Sequence, residues 1–193
     1  MEYSQPDPRT AAPADRTTLI LATLLVCVSL FLPRPANFAP IGAFGLFCGA
    51  HAGTRTAWGY PVAALTGYVV AIGGYHWLVL GSVILGFSIP AAMGRHWLAG
   101  RARWRRIGWS SLAASVVFFL ISNLGSWIAF GTAQGETLVH HYARGVPYFW
   151  STLAGDLFFS AVLFGSYRVV SRLRERTSHR AFPEGARPSR VQV

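Results

Sequence analysis

The sequence predicts an all-α membrane protein, a bundle of about six transmembrane helices, from three observations. Of 193 residues 52% are hydrophobic and only 12% are charged, about half the charged share of a soluble domain. The charges are segregated, so that the stretches 17–33, 41–53, 58–75, 77–93, 107–130 and 146–170 hold almost none. Arginines flank these stretches, as they do in the loops beside membrane spans.

The net charge of +10 does not point to nucleic acid. All 17 basic residues are arginine, and most sit in two blocks, Arg95 to Arg106 and Arg168 to Arg190, each beside an apolar stretch. A nucleic-acid binder carries its basic stripe on a soluble fold. The partner expected from composition is the lipid bilayer.

Residues 1–16, rich in Pro, Ala, Asp and Arg, read as a disordered cytoplasmic start. The first span covers Thr17–Leu32 and stops at Pro33 and Pro35, because proline cannot continue a helix. No Ala-x-Ala cleavage site follows it closely, so the helix is expected to be retained. The stiff loop Pro33–Pro40 is either a pocket mouth or a plain turn. The second span, Ile41–Gly53, is shorter than the 17 or so residues a crossing needs. It either borrows residues from its flanks or is re-entrant. Its Gly45, Gly49 and Gly53 share one face, where a neighbouring helix can approach closely.

The third and fourth spans, Trp58–Tyr75 and Trp77–Met93, are separated by a tight turn around 73–76. Pro61 falls near the start of the third, where a helix tolerates it. The arginine loop 95–106 follows. The fifth span is Ile107–Phe130, the loop 131–146 is polar, and the sixth span is Pro147–Val170 with Pro147 in its first turn. Residues 17–170 thus form one six-helix domain, and the basic tail 171–193 reads as disordered. This topology puts both termini in the cytoplasm, with 15 arginines on that side and only Arg34 and Arg144 outside. Trp58, Trp77, Trp97, Trp109 and Trp150 fall near span ends, as in an interfacial aromatic belt.

Asp156 is the one acidic residue inside an expected span. On these boundaries it lies about 13 Å below the outer end of its helix. A carboxylate at that depth either serves a substrate, cation or proton, or is bonded to a neighbouring helix. Asn123, about 10 Å from the outer end of the fifth span, is placed near the same depth, and Trp127 lies four residues on along one face. They suggest either a polar, aromatic-walled cavity or a plain interhelical hydrogen bond. Tyr148, Phe149 and Trp150 open the sixth helix, one turn above Thr152, where a flat organic ligand or only the interface would suit them.

A metal site at His140-His141 lacks further ligands, and Cys27 and Cys48 read as buried thiols. No metal and no cofactor are expected. Nucleophile-elbow, zinc-protease and phosphate-loop signatures are missing, so no enzymatic activity is assigned. With no ATP-handling domain, transport would draw its energy from a partner protein or a gradient.

Three segments carry a family resemblance: Arg34-Pro35-Ala36-Asn37-Phe38-Ala39-Pro40-Ile41-Gly42-Ala43, Ser122-Asn123-Leu124-Gly125-Ser126-Trp127, and Gly145-Val146-Pro147-Tyr148-Phe149-Trp150. Together they resemble an uncharacterised family of small bacterial membrane proteins described as transport proteins. That family is in turn similar to the S components of energy-coupling factor transporters, six-helix proteins that capture vitamins or metal ions and pair with a transmembrane subunit and two ATPases. The resemblance implies an S-component-like bundle in the bacterial inner membrane that binds a small, vitamin-like solute. Asn37, Asn123, Trp127, Tyr148 and Asp156 are the residues expected to line its pocket. The Ala-x-x-x-Ala face that such proteins use to dock is kept only in part, as Ala14, Thr18 and Ala22 followed by Val26. Two other readings stand beside this one. An accessory subunit without a ligand would use the glycine face of the second helix for a partner. A cofactor-processing enzyme would use Cys48 or Cys27.

Overall fold

The computed structural model describes residues 14–52, 56–73 and 76–181. Six helices follow one another, and the described residues contain no strand. They are α1 (Arg16–Phe31), α2 (Ile41–His51), α3 (Thr56–Ile72), α4 (Trp77–Met93), α5 (Trp104–Ser126) and α6 (Leu138–Ala181). A wide π turn, Gly94–Leu98, continues α4, while Trp127–Gly131 and a 3-10 turn, Thr132–Gln134, continue α5. Gly53, Arg55, the centre of the turn at 74–75, the start 1–13 and the tail 182–193 lie outside the described residues.

Three helical stretches are long and apolar enough to cross a membrane, Trp77–Leu98, Trp104–Gln134 and Leu138–Arg174. They mark the chain as a membrane protein. The other three helices are shorter. α2, with 11 residues, is about 16 Å long, roughly half the thickness of a bilayer's hydrocarbon core. It packs against all five other helices, and Phe44, Leu46, Phe47 and Cys48 are fully buried. A helix enclosed on every side is apolar all round, which is why α2 carries no polar face.

α2 nevertheless reaches the far end of the bundle. The Ala14 N–H, just before α1, donates to the His51 carbonyl at 2.9 Å. The loop 33–40 leads into the other end of α2, with Phe38 and Ala39 against α6 and Pro40 buried. At the same end Arg174 of α6 pairs with Asp15 at 2.9 Å, and Arg168 donates to the Ala102 carbonyl of the α4–α5 connection. The arginine-rich segments therefore gather at one end. Arg34 and Arg144 lie towards the other.

The glycine face of α2 is used within the chain. A Cβ on Gly49 would lie 2.0 Å from the Ala91 carbonyl oxygen, and one on Gly94 would lie 2.2 Å from that of Leu46. Gly45 sits against Pro90 in the same crossing. α2 and α4 thus touch backbone to backbone, as small residues permit in membrane bundles.

α5 and α6 run antiparallel. Ser111 faces Ser160 at 2.9 Å, Ser115 faces Asp156 at 2.7 Å, and Asn123 abuts Gly145. Two boundaries differ from the sequence reading. α6 begins at Leu138, so Pro147 lies inside the helix instead of in its first turn. It also runs on to Ala181, into the segment expected to be a disordered tail. The Glu136 cluster described below anchors the early start, and the tail's first residues extend a helix already held by packing.

Candidate functional site

The loop between α1 and α2 owes its shape to its residues. Pro33 and Pro35 end α1, and the Phe38 N–H returns to the Pro35 carbonyl at 3.1 Å in a tight turn. The third position of that turn is Asn37, with φ of 62°. Among side chains Asn tolerates such a backbone well. Arg34 folds back to donate to the carbonyls of Ser29, at 3.3 Å, and Leu30, closing the end of α1. Its guanidinium sits 5.8 Å from the centre of the Tyr68 ring.

The second half of the loop is pinned to α6. The Phe38 ring packs against Phe159 and Phe158, with centroids 5.6 and 5.9 Å away. Gly155 lets the backbone of Ala39 approach to where a Cβ would sit 3.0 Å from its nitrogen. One residue on, Asp156 is buried at 2% exposure. Its Oδ1 accepts from the Ala43 N–H at 3.0 Å and its Oδ2 from the Ser115 hydroxyl at 2.7 Å. α2 begins at Pro40, which has no side-chain acceptor for the first turn. Asp156 supplies that acceptor from another helix, at the end of α2 where its first N–H groups are exposed. Gly42 makes the room, because a Cβ there would lie 2.4 Å from Oδ1.

Beside this loop lies a cavity of about 500 Å3. Leu30, Ile41, Leu65 and Val83 form its apolar base, while Tyr68, Phe87 and Phe118 wall it. The rings of Phe87 and Phe118 stack at 4.3 Å. Arg34 and Asn37 stand at the loop side. A volume of this order falls within the range of small-molecule sites, and the lining is mixed, with apolar side chains from the helices and polar groups along the loop. The loop is also irregular backbone within a helical bundle, an arrangement tolerated at membrane depth where it is packed in protein or lines a cavity.

Of the five expected pocket residues, Asn37 lines this cavity and Asp156 holds the loop and α2 in place next to it. The other three lie elsewhere. Asn123 donates to the Phe119 carbonyl at 2.8 Å, and its Oδ1 lies against Gly145. The antiparallel register puts Asn123 eight residues, or about 12 Å, outward of Ser115 and hence of Asp156. The expectation of equal depth fails because α6 starts nine residues earlier than read. Trp127 donates to the Glu136 carbonyl at 2.8 Å. Tyr148 is 51% exposed on the outside of α6. Sequence reasoning passed over Arg34, Tyr68, Phe87, Phe118 and Ser115. The one local signal was an arginine set between two prolines immediately after an apolar helix.

The polar connection before α6 forms a cluster of its own. Glu136 accepts from His141 at 2.8 Å and from Arg144 at 3.1 Å, and His140 lies 3.8 Å away. The bond from the His141 ring, joined by Arg144, holds the Glu136 carboxyl below the usual carboxylate range. Among the described residues no three His, Cys, Asp or Glu side chains gather as metal ligands do. Cys48 is fully buried and Cys27 partly so, and neither lines the cavity.

Residues 12–179 match the family model described as "Family of unknown function (DUF6580)". The chain belongs to that family. No curated protein and no solved structure matches it. The DUF6580 match covers α1 to α5 and all but the last two residues of α6, so the loop, the cavity and the Asp156 cap all lie within the family's extent.

Proposed function

We infer that the chain is a substrate-capturing membrane transport subunit of the S-component type, holding a small, vitamin-like organic solute in the cavity beside the 33–40 loop. One observation carries this reading: a 500 Å3 space walled by three aromatic rings, with Arg34 and Asn37 along its loop side. Such walls suit a flat or apolar body, and a guanidinium suits an acceptor or anionic end on it. The sequence alone offers Asp156 as an acceptor of hydrogen bonds from the solute or as the balance for a cationic group on it. Both Asp156 oxygens are engaged by Ala43 and Ser115 and the residue does not line the cavity, whereas Arg34 does, with N–H groups beyond the one that closes α1.

The arginine-rich end faces the cytoplasm, following the charge bias of membrane loops. That leaves both termini inside and the cavity towards the exterior. Of the six helices, α2 makes its crossing together with the loop. Energy comes from a transmembrane coupling subunit with ATPases, or from a gradient. Ala22 and Val26 of the small-residue stripe on α1 are buried against the bundle, so a coupling subunit would meet other surfaces.

Native mass spectrometry of the detergent-purified protein tests the reading. A small molecule retained by the wild type and lost in both Tyr68→Ala and Phe118→Ala supports it. A stoichiometric protein partner with no retained solute favours the accessory-subunit reading. That alternative has less to stand on, because α4 already covers the glycine face of α2.

A further inference from the structure

We propose that the groove between α5 and α6 at the arginine-rich end is a binding site for one anionic phospholipid. The groove, of about 330 Å3, is lined by Arg105, Gly108, Trp109 and Leu112 of α5 and by Leu153 and Leu157 of α6. The four α5 residues fall at i, i+3, i+4 and i+7, one continuous face. From Arg105 to Leu112 the face runs about 10 Å, most of the roughly 15 Å depth of one leaflet. Its charge lies at one end and its leucines extend from there. Trp109, 69% exposed, flanks the strip where an interfacial ring belongs.

Charge complementarity selects the occupant. From Arg16 to Gly135 the sequence holds no acidic residue, so the cluster Arg101, Arg103, Arg105 and Arg106 has no counter-charge among its neighbours along the chain. Two arginines of α6 at this end are engaged. Arg168 lies over the Trp104 ring at 4.5 Å and donates to the Ala102 carbonyl, and Arg174 pairs with Asp15. Among the described residues no acidic side chain pairs with Arg105. An arginine that no described acidic side chain pairs with is free to meet an anion from outside, and an apolar strip continuing from it selects a phosphate that carries an acyl chain.

Gly108 makes the groove. A Cβ there would meet nothing within 4 Å, so a larger side chain fills the groove without disturbing helix packing. The full-length protein in micelles is offered equal phosphatidylglycerol and phosphatidylcholine of identical chains, and bound lipid is read by native mass spectrometry. The wild type should retain the anionic lipid over the zwitterionic one. Arg105→Gln should reduce that preference by roughly fivefold, the effect of one basic residue near an anionic surface. Gly108→Leu should displace both lipids at an unchanged melting temperature. A wild-type ratio near one overturns the proposal, as does wild-type lipid retention in either variant. So does a dimer that Gly108→Leu dissociates, since the groove would then hold a second copy of the chain.

Discussion

Asp156 caps a helix to which it does not belong: its Oδ1 accepts from the Ala43 N–H at 3.0 Å, closing the first turn of α2 from a position 113 residues later in the chain. The contact joins α6, α2 and, through Ser115, α5. A central helix that starts on a proline inside the bundle needs such a partner, since water cannot serve its first N–H groups there.

Removing the carboxylate should therefore act on stability. Asp156→Ala leaves the Ala43 N–H and the Ser115 hydroxyl without their partner, at a cost of roughly 2–4 kcal/mol. Asp156→Asn keeps an acceptor and should lose markedly less. Thermal unfolding of the purified variants in one detergent checks the order. If Asp156→Asn binds a retained solute as the wild type does, the carboxylate charge is not a ligand contact.

The crossing of α2 and α4 should reject even one methyl group. At Gly49 a Cβ would press on the Ala91 carbonyl and at Gly94 on that of Leu46, backbone atoms that cannot swing aside. Gly49→Ala and Gly94→Ala should each cost roughly 1–3 kcal/mol. Gly67, with nothing within 4 Å of its would-be Cβ, is the control. Gly67→Ala should be neutral or stabilise by up to about 1 kcal/mol. Melting temperatures of the three variants measure the contrast.

Asn37 can be tested for what its backbone and its side chain each contribute. Its φ of 62° suits glycine, so Asn37→Gly should fold normally. Asn37→Val places a β-branched residue in the left-handed region and should cost roughly 1–2 kcal/mol. Solute retention that survives Asn37→Gly would assign Asn37 to shaping the loop alone. Loss of retention at an unchanged melting temperature would make its amide a ligand contact.

The cluster before α6 should respond to acid. Because the His141 bond and Arg144 lower the Glu136 carboxyl value, its stabilising contribution is complete above the unfolded value of about 4.3. It is lost as pH falls through the lower, folded value. Hydrogen exchange at residues 132–144, corrected for intrinsic rates, should show protection declining in that range. Glu136→Gln should abolish the pH dependence and leave the segment less protected at neutral pH.

The helices and the uneven distribution of charge could be read from the sequence, because both follow from local composition. Span ends at Phe31 and Met93 fall within a residue of those read from prolines, glycines and charge, and Gly45 and Gly49 do line a close helix contact. α6 was harder to bound, since its start depends on Glu136 meeting His141 and Arg144, residues the hydropathy pattern treats as loop.

Sequence by itself determined that this chain is helical and apolar and that its arginines gather beside the helices, because those are properties of neighbouring residues. Tertiary structure decided where the space is and what Asp156 does. A cavity forms where Leu30, Tyr68 and the stacked pair Phe87 and Phe118 leave a space between four helices. A carboxylate becomes a cap or a ligand contact according to which N–H the fold places 3 Å away.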